Sequence, residues 1–203
     1  MTEQEEKEFY STPISDSLFL KMQGKSFKAD CTLPREDLRY VHVLHTGFDG
    51  ETHEGELVCN RRIASTLLTI FRRLYLEKYP IEKIRLVDEY DAEDERSMAD
   101  NNSSCFNFRC ISYTDIVSKH GLGIAIDINP LYNPYVKQVG NRLSIEPANG
   151  EPYVDRSRDF PYKIDHQDLA YRLFTEQGFT WGGDWTESKD YQHFELLQAV
   201  PRL

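Results

Sequence analysis

Residues 118–127 read SKHGLGIAID, and their alternation decides how the rest of the chain is read. If the backbone runs extended from Gly123, Ile124, Ile126 and Ile128 point to one face while Ala125, Asp127 and Asn129 point to the other. Asp127 stands on the side that the isoleucines avoid, and His120 precedes it in a glycine-bounded turn that can fold back toward it. Taken alone, such an aspartate reads as the solvent side of an edge strand. The segment YQHFELL (191–197) repeats the pattern: Phe194 and Leu196 face one way, His193 and Glu195 the other.

Working outward, LRYVHVLHTGFDG followed by GELVC predicts a hairpin, with DGETHEG as its turn. Asn60 is placed to cap a long helix from Arg61 to about Tyr79, whose apolar residues recur at helical spacing and which Pro80 stops. IEKIRLV reads as a strand. DEYDAEDERSMADNN carries seven acids against one arginine and reads as a surface loop without the spacing of a calcium site. SSCFNFRC is further sheet, and the proline-, asparagine- and tyrosine-rich stretch from Asn129 to Ile164 reads as a long loop that walls a binding site. Asp165 caps a last helix, HQDLAYRLFTEQ, closed by Gly178. Helices beside a small, largely antiparallel sheet predict an α+β fold, with an N-terminal arm over residues 1–30 and a single domain over 31–203.

The 203 residues carry a formal charge of -10 with no basic block, which argues against nucleic acid and anionic membrane as partners. No apolar run reaches membrane-spanning length. The opening MTEQEEKEFY lacks the flank and apolar stretch of a signal peptide, which leaves a cytoplasmic protein or one whose leader has been removed. Cys31, Cys59, Cys105 and Cys110 form no Cys-x-x-Cys pair; Cys105 and Cys110 are expected to be small buried or half-buried residues.

His120, Asp127 and His193 together make a ligand set that suits zinc and leaves a fourth position for water. Asp190, three residues before His193, is placed to act as a base on that water, and Arg109 to steady an oxyanion or a substrate carboxylate. Trp185, beside Gly182-Gly183, is expected in a substrate wall, with Trp181 in the core. His42, His45 and His53 read as surface histidines, Glu195 as either an orienting partner of His193 or an ordinary buried hydrogen-bonding residue, and Tyr132, Tyr153 and Arg156 as packing and solubility residues, with substrate contact the alternative.

SKHGLGIAIDINPLYNPY, NNSSCFNFR and FTWGGDWTESKDYQHFEL closely resemble the D-alanyl-D-alanine carboxypeptidase, VanY-like, family of zinc metallopeptidases, over nearly the whole chain from about Pro13. The resemblance implies a zinc-peptidase fold and one zinc ion on His120, Asp127 and His193. It further implies Asp190 as general base, Arg109 as transition-state stabiliser and Ser118 as a residue that holds the substrate backbone. Relatives with glutamate before the last histidine exist, whereas this chain uses the shorter Asp190. The substrate implied is a peptidoglycan stem peptide, cut at D-alanyl-D-alanine or, alternatively, between L-alanine and D-glutamate. A catalytically silent zinc-containing binding module is the competing class. A monomer acting outside the cytoplasm, in the cell envelope or secreted, is expected if a leader was removed.

Overall fold

Alternating apolar residues between Leu38 and Asn60 bury both faces of one hairpin, and two cores grow from it. Strands β2 (Leu38–Thr46) and β3 (Thr52–Asn60) pair antiparallel, with Gly47 N–H donating to Glu51 across the turn at 2.8 Å. The second strand starts at Thr52, so residues 52–55 extend the ladder rather than the turn. Val41, Val43, Leu57 and Cys59 join the main core, whereas Leu38 and Val58 join a smaller core with Ile14, Met22, Leu86, Phe106 and Phe108. The computed structural model describes residues 1–111 and 115–196; Leu197, at the end of the expected last strand, lies outside them.

The N-terminal arm does not merely wrap the body. Helix α1 (Glu3–Lys7) leads into strand β1 (Tyr10–Pro13), which extends the hairpin into a three-stranded sheet, and helix α2 (Asp16–Met22) delivers Met22 to the smaller core. Helix α3 (Ala64–Leu76) covers the other face of the hairpin through Leu67, Ile70, Phe71 and Leu74. It begins after Ile63 without a side-chain cap, because Asn60 still belongs to β3 and its Oδ1 accepts from Arg62 N–H. It ends before Pro80 is reached. Lys78 adopts φ 54°, Tyr79 N–H returns to the Leu74 carbonyl at 2.8 Å, and Lys78 N–H to Tyr75 at 3.0 Å. This is the left-handed helix stop that glycine usually fills.

The acid-rich segment is structured, contrary to a solvated loop. Strand β4 (Lys83–Ile84), shorter than expected, pairs parallel with β5 (Asn102–Ser103), and helix α4 (Asp94–Ala99) lies between them. Asp88, Ser97, Met98 and Asn102 are buried. The acids are tolerated because they are paired: Asp88 accepts from Ser26 N–H and Oγ–H, and Asp100 from Lys83 and Tyr90. Residues 105–109 are not a regular strand, yet they are held on both sides, Phe106 N–H donating to Val58 at 2.9 Å and Asn107 N–H to His120 at 3.2 Å.

The second sheet has the order β6 (Ala125–Asp127), β11 (His193–Leu196), β9 (Phe179–Trp181), all antiparallel. Its inner face, with Ile126, Phe194 and Trp181, packs into the main core together with α3 and α5 (Leu169–Glu176). Asp168, not Asp165, caps α5, its Oδ1 accepting from Ala170 N–H at 2.7 Å; Gly178 closes the helix with φ +85°. The stretch from Asn129 to Ile164 contains a second hairpin, β7 (Tyr135–Val139) and β8 (Arg142–Glu146), and β7 also pairs with β10 (Ser188–Asp190). Arg156 cements this region, donating to the carbonyls of Tyr132, Tyr153 and Ile164 and to Asn133, and lying over the rings of Tyr191 and Phe160.

None of the described helices is long and apolar enough to cross a membrane. All four cysteines are free, and Cys110 is exposed rather than half-buried. His42 and His45 are buried, not surface residues: His42 Nδ1 meets the Glu8 carbonyl at 2.7 Å and His45 Nδ1 that of Ile81 at 2.8 Å. Burial lowers the His45 pKa to about 4. Because Lys78 holds a conformation costly for any side chain, Lys78→Gly is expected to raise stability by about 0.5–1 kcal/mol in urea unfolding, with an unchanged fold.

Candidate metal centre

Strands β6 and β11 set Asp127 directly opposite His193, so their side chains share the sheet face turned away from the core. His120 reaches the same point from the turn before β6. Gly123 makes that turn possible: it holds φ +65°, its carbonyl accepts from Asn60 N–H at 2.8 Å, and a Cβ there would stand 2.7 Å from Asn60 N. The three side chains converge in a buried spot, each about 5% exposed. Asp127 is therefore not on a solvent face.

His120 Nε2 lies 3.1 Å from His193 Nδ1 and 3.1 Å from Asp127 Oδ2, and His193 Nδ1 lies 3.0 Å from Asp127 Oδ1. The outer nitrogens fix the tautomers. His120 Nδ1–H donates to the Cys105 carbonyl at 2.6 Å, and His193 Nε2–H to Glu195 Oε2 at 3.2 Å. Both inner nitrogens thus present lone pairs, and with the carboxylate they form three facing acceptors with no proton between them. A tetrahedral ion with ligand bonds of about 2.0–2.1 Å requires donor separations of about 3.3–3.4 Å, within a few tenths of those observed. The donor set fits a divalent cation such as zinc.

The electrostatics agree. Burial opposes charge on both Asp127 and His193, but the imidazoles hold the Asp127 carboxyl well below the usual range, and Asp127 with Glu195 raises the His193 pKa. For Glu195, too, burial is outweighed by its bond from His193 and the carboxyl titrates low. The lowered Asp127 and Glu195 carboxyls and the raised His193 imidazole together mark a site that favours positive charge.

Asp190, at the end of β10, places Oδ2 4.0 Å from His193 Nδ1, while its Oδ1 is buried with no hydrogen-bond partner among the described residues. Burial raises this carboxyl, and the Asp127 charge adds to the effect against the pull of His193 and Arg109. Two neighbouring carboxyls are pushed apart, one kept anionic and one made basic. Gly182 is what lets Asp190 sit there: a Cβ on it would lie 2.7 Å from Asp190 Cβ and 2.6 Å from its carbonyl oxygen.

Trp185 packs near the centre, its ring 5.3 Å from that of His193, whereas Trp181 is in the core. Ser118 is buried, and its Oγ accepts from His120 N–H at 3.3 Å. Arg109 forms an ion pair with Asp94 at 2.5 Å, and its Nε is buried without a partner among the described residues. The sequence reading missed Asp94, the Cys105 carbonyl and Gln192, which is buried with an unpartnered Oε1.

A second group, Glu8, His42 and Glu54, also brings ligand atoms together, but His42 Nδ1 is taken by a backbone carbonyl and Glu54 is open to solvent. A cleft of about 680 Å³ between α2 and the β1–β2 edge is lined by Tyr10, Leu18, Lys21, Tyr40 and Asp88 and lies apart from the triad. Chemistry rather than cavity size identifies the site.

Residues 112–196 match the family model described as D-alanyl-D-alanine carboxypeptidase. That stretch holds His120, Asp127, Asp190 and His193; Arg109 and Asp94 precede it. No solved structure matches the chain.

Replacing His120, Asp127 or His193 by alanine is expected to abolish stoichiometric zinc binding in calorimetry, while Glu195→Gln weakens it about 10- to 100-fold. Gly182→Ala is expected to retain the metal yet lose activity, because the displaced group is Asp190; equal loss of both would show that the glycine supports the whole site.

Proposed function

We propose that this chain, whose residues 112–196 match the D-alanyl-D-alanine carboxypeptidase family model, is a zinc-dependent peptidase of peptidoglycan stem peptides, acting in the cell envelope or after secretion. The observation that carries the reading is the inward convergence of three lone-pair donors with a fourth, unligated carboxylate beside them.

His120 Nε2, Asp127 and His193 Nδ1 would hold a divalent cation, which when bound would supply Lewis acidity at the scissile carbonyl and make water a better nucleophile. Asp190 takes the proton released as that water attacks and returns it to the departing amine nitrogen, so that the amide bond breaks to a carboxylate and an amine. Its raised affinity for protons suits this shuttle, whereas the lowered one of Asp127 keeps that residue an anionic ligand. The Arg109 guanidinium stabilises negative charge on the carbonyl oxygen in the transition state. Trp185 walls the bound peptide beside His193, and Ser118 holds its backbone.

D-alanyl-D-alanine cleavage is the leading reaction. Endopeptidase cleavage between L-alanine and D-glutamate is the alternative, supported by one observation: Arg109 is paired with Asp94 and Arg156 is spent on internal carbonyls, so neither stands ready for a terminal carboxylate.

The test uses zinc-loaded protein and purified muropeptides with mass spectrometry of the products. Wild type should release D-alanine or fragments cut at alanyl-glutamate. Asp190→Ala should lower kcat by about 10²- to 10⁴-fold with zinc content unchanged. Failure of the wild type to cut either bond would overturn the peptidase reading in favour of a zinc-containing binding module.

A further inference from the structure

The acid-rich stretch before Asn101 looks dispensable to a peptidase, yet its helix reaches both Arg109 and the chain beyond β8. Asp94, in the first turn of α4, pairs with the Arg109 guanidinium. The next residue, Glu95, accepts from Ala148 N–H at 2.7 Å, and Asn149 Nδ2 donates to the Ala99 carbonyl at 3.0 Å, which ties α4 to the chain just beyond β8. Gln192, immediately before the ligand His193, leans on the Glu146 carbonyl at the end of that strand. One turn of helix therefore fixes Arg109 and the β8 end of the hairpin together.

Both partners of the ion pair are largely covered, with side chains 28% and 27% exposed, so solvent screens it less than a surface pair. The pair uses the terminal nitrogen of Arg109 and leaves Nε buried and unpartnered among the described residues. Asp94 holds the guanidinium through one terminal nitrogen while the buried Nε donor is left unused, an arrangement costly for a purely structural arginine. The Arg109 charge also acts on Asp190 and Glu146, lowering both carboxyls against their burial.

We infer that Asp94 is a positioning residue that orients the Arg109 guanidinium toward the substrate carbonyl, making α4 part of the working site. This rests on the peptidase reading for its effect on rate, but not for the geometry.

Asp94→Asn keeps the size of the side chain and removes its charge. In muropeptide hydrolysis it should lower kcat by about 10- to 100-fold with KM and zinc stoichiometry little changed. Asp94→Glu should recover part of the loss, and Glu95→Gln, on the same turn, should leave kcat near wild type. In the Arg109→Ala background Asp94→Asn should have no further effect. Independent multiplication of the two losses, or a change below about twofold for Asp94→Asn alone, would overturn the inference.

A readout free of turnover is the 15Nε–1H resonance of Arg109 in zinc-loaded protein. It should be observable in wild type and broadened or lost in Asp94→Asn. An unchanged resonance refutes the positioning role even if no peptide is cut. Its loss beside an inactive wild type would instead sink only the peptidase reading. Should Asp94→Asn fail to fold, Asp94→Glu carries both measurements, and it should shift the resonance and alter kcat.

Discussion

Three acceptors facing one another at about 3 Å in a buried pocket are the constraint on which the rest of this protein turns. A carboxylate taken out of water costs several kcal/mol unless a cation or donors compensate it. Here the surroundings decline to supply the donors: the Cys105 carbonyl and Glu195 each claim the outer proton of an imidazole and turn its lone pair inward. Without a metal, the charge can be met only by an additional proton, and His193 is the group whose pKa rises to accept it. Proton and metal therefore compete for the same small volume. Metal affinity and acidity are two views of one potential.

Satisfying that constraint falls to pairing register more than to side-chain flexibility. Asp127 and His193 are cross-strand partners, so a slip of one residue in β11 would put Phe194 at the site and His193 in the core. The core prevents it, since Phe194 stacks on Phe174 with ring centroids 4.5 Å apart. The apolar face of the sheet thus specifies the position of the polar one. Gly123 and Gly182 add two backbone approaches that no side chain would permit, one bringing in His120 and the other Asp190.

Much of this could be read in the amino-acid order, and the reasons for the remainder are physical. Period-two alternation revealed the faces of residues 124–128 and 193–196 because one side of each is wholly apolar; the same alternation exposed the 38–60 hairpin, and helical spacing exposed the helix over Phe71. Alternation is silent about backbone carbonyls, so the role of Cys105 could not be foreseen. Charge density misled at residues 88–102, where acids are hydrogen-bonded by Ser26 or ion-paired with Lys83 and Arg109 from elsewhere in the chain. Buried asparagines misled in the same way. Asn102, Asn129 and Asn133 resemble loop residues in the sequence, yet each is nearly or fully inaccessible and bridges backbone groups of distant segments. The helix limits moved for local reasons: Lys78 accepted a left-handed conformation, and Asp168 lay nearer the first free N–H of α5 than Asp165.

The placement of His193 in the last described strand, antiparallel to a strand laid down more than sixty residues earlier, has a consequence for biosynthesis. Such non-local pairing closes long loops and is slow compared with helix formation. During translation, His120 and Asp127 leave the ribosome well before their third companion, and two ligands alone grip an ion weakly. A metal site built on these three side chains would therefore be complete only once β11 has docked.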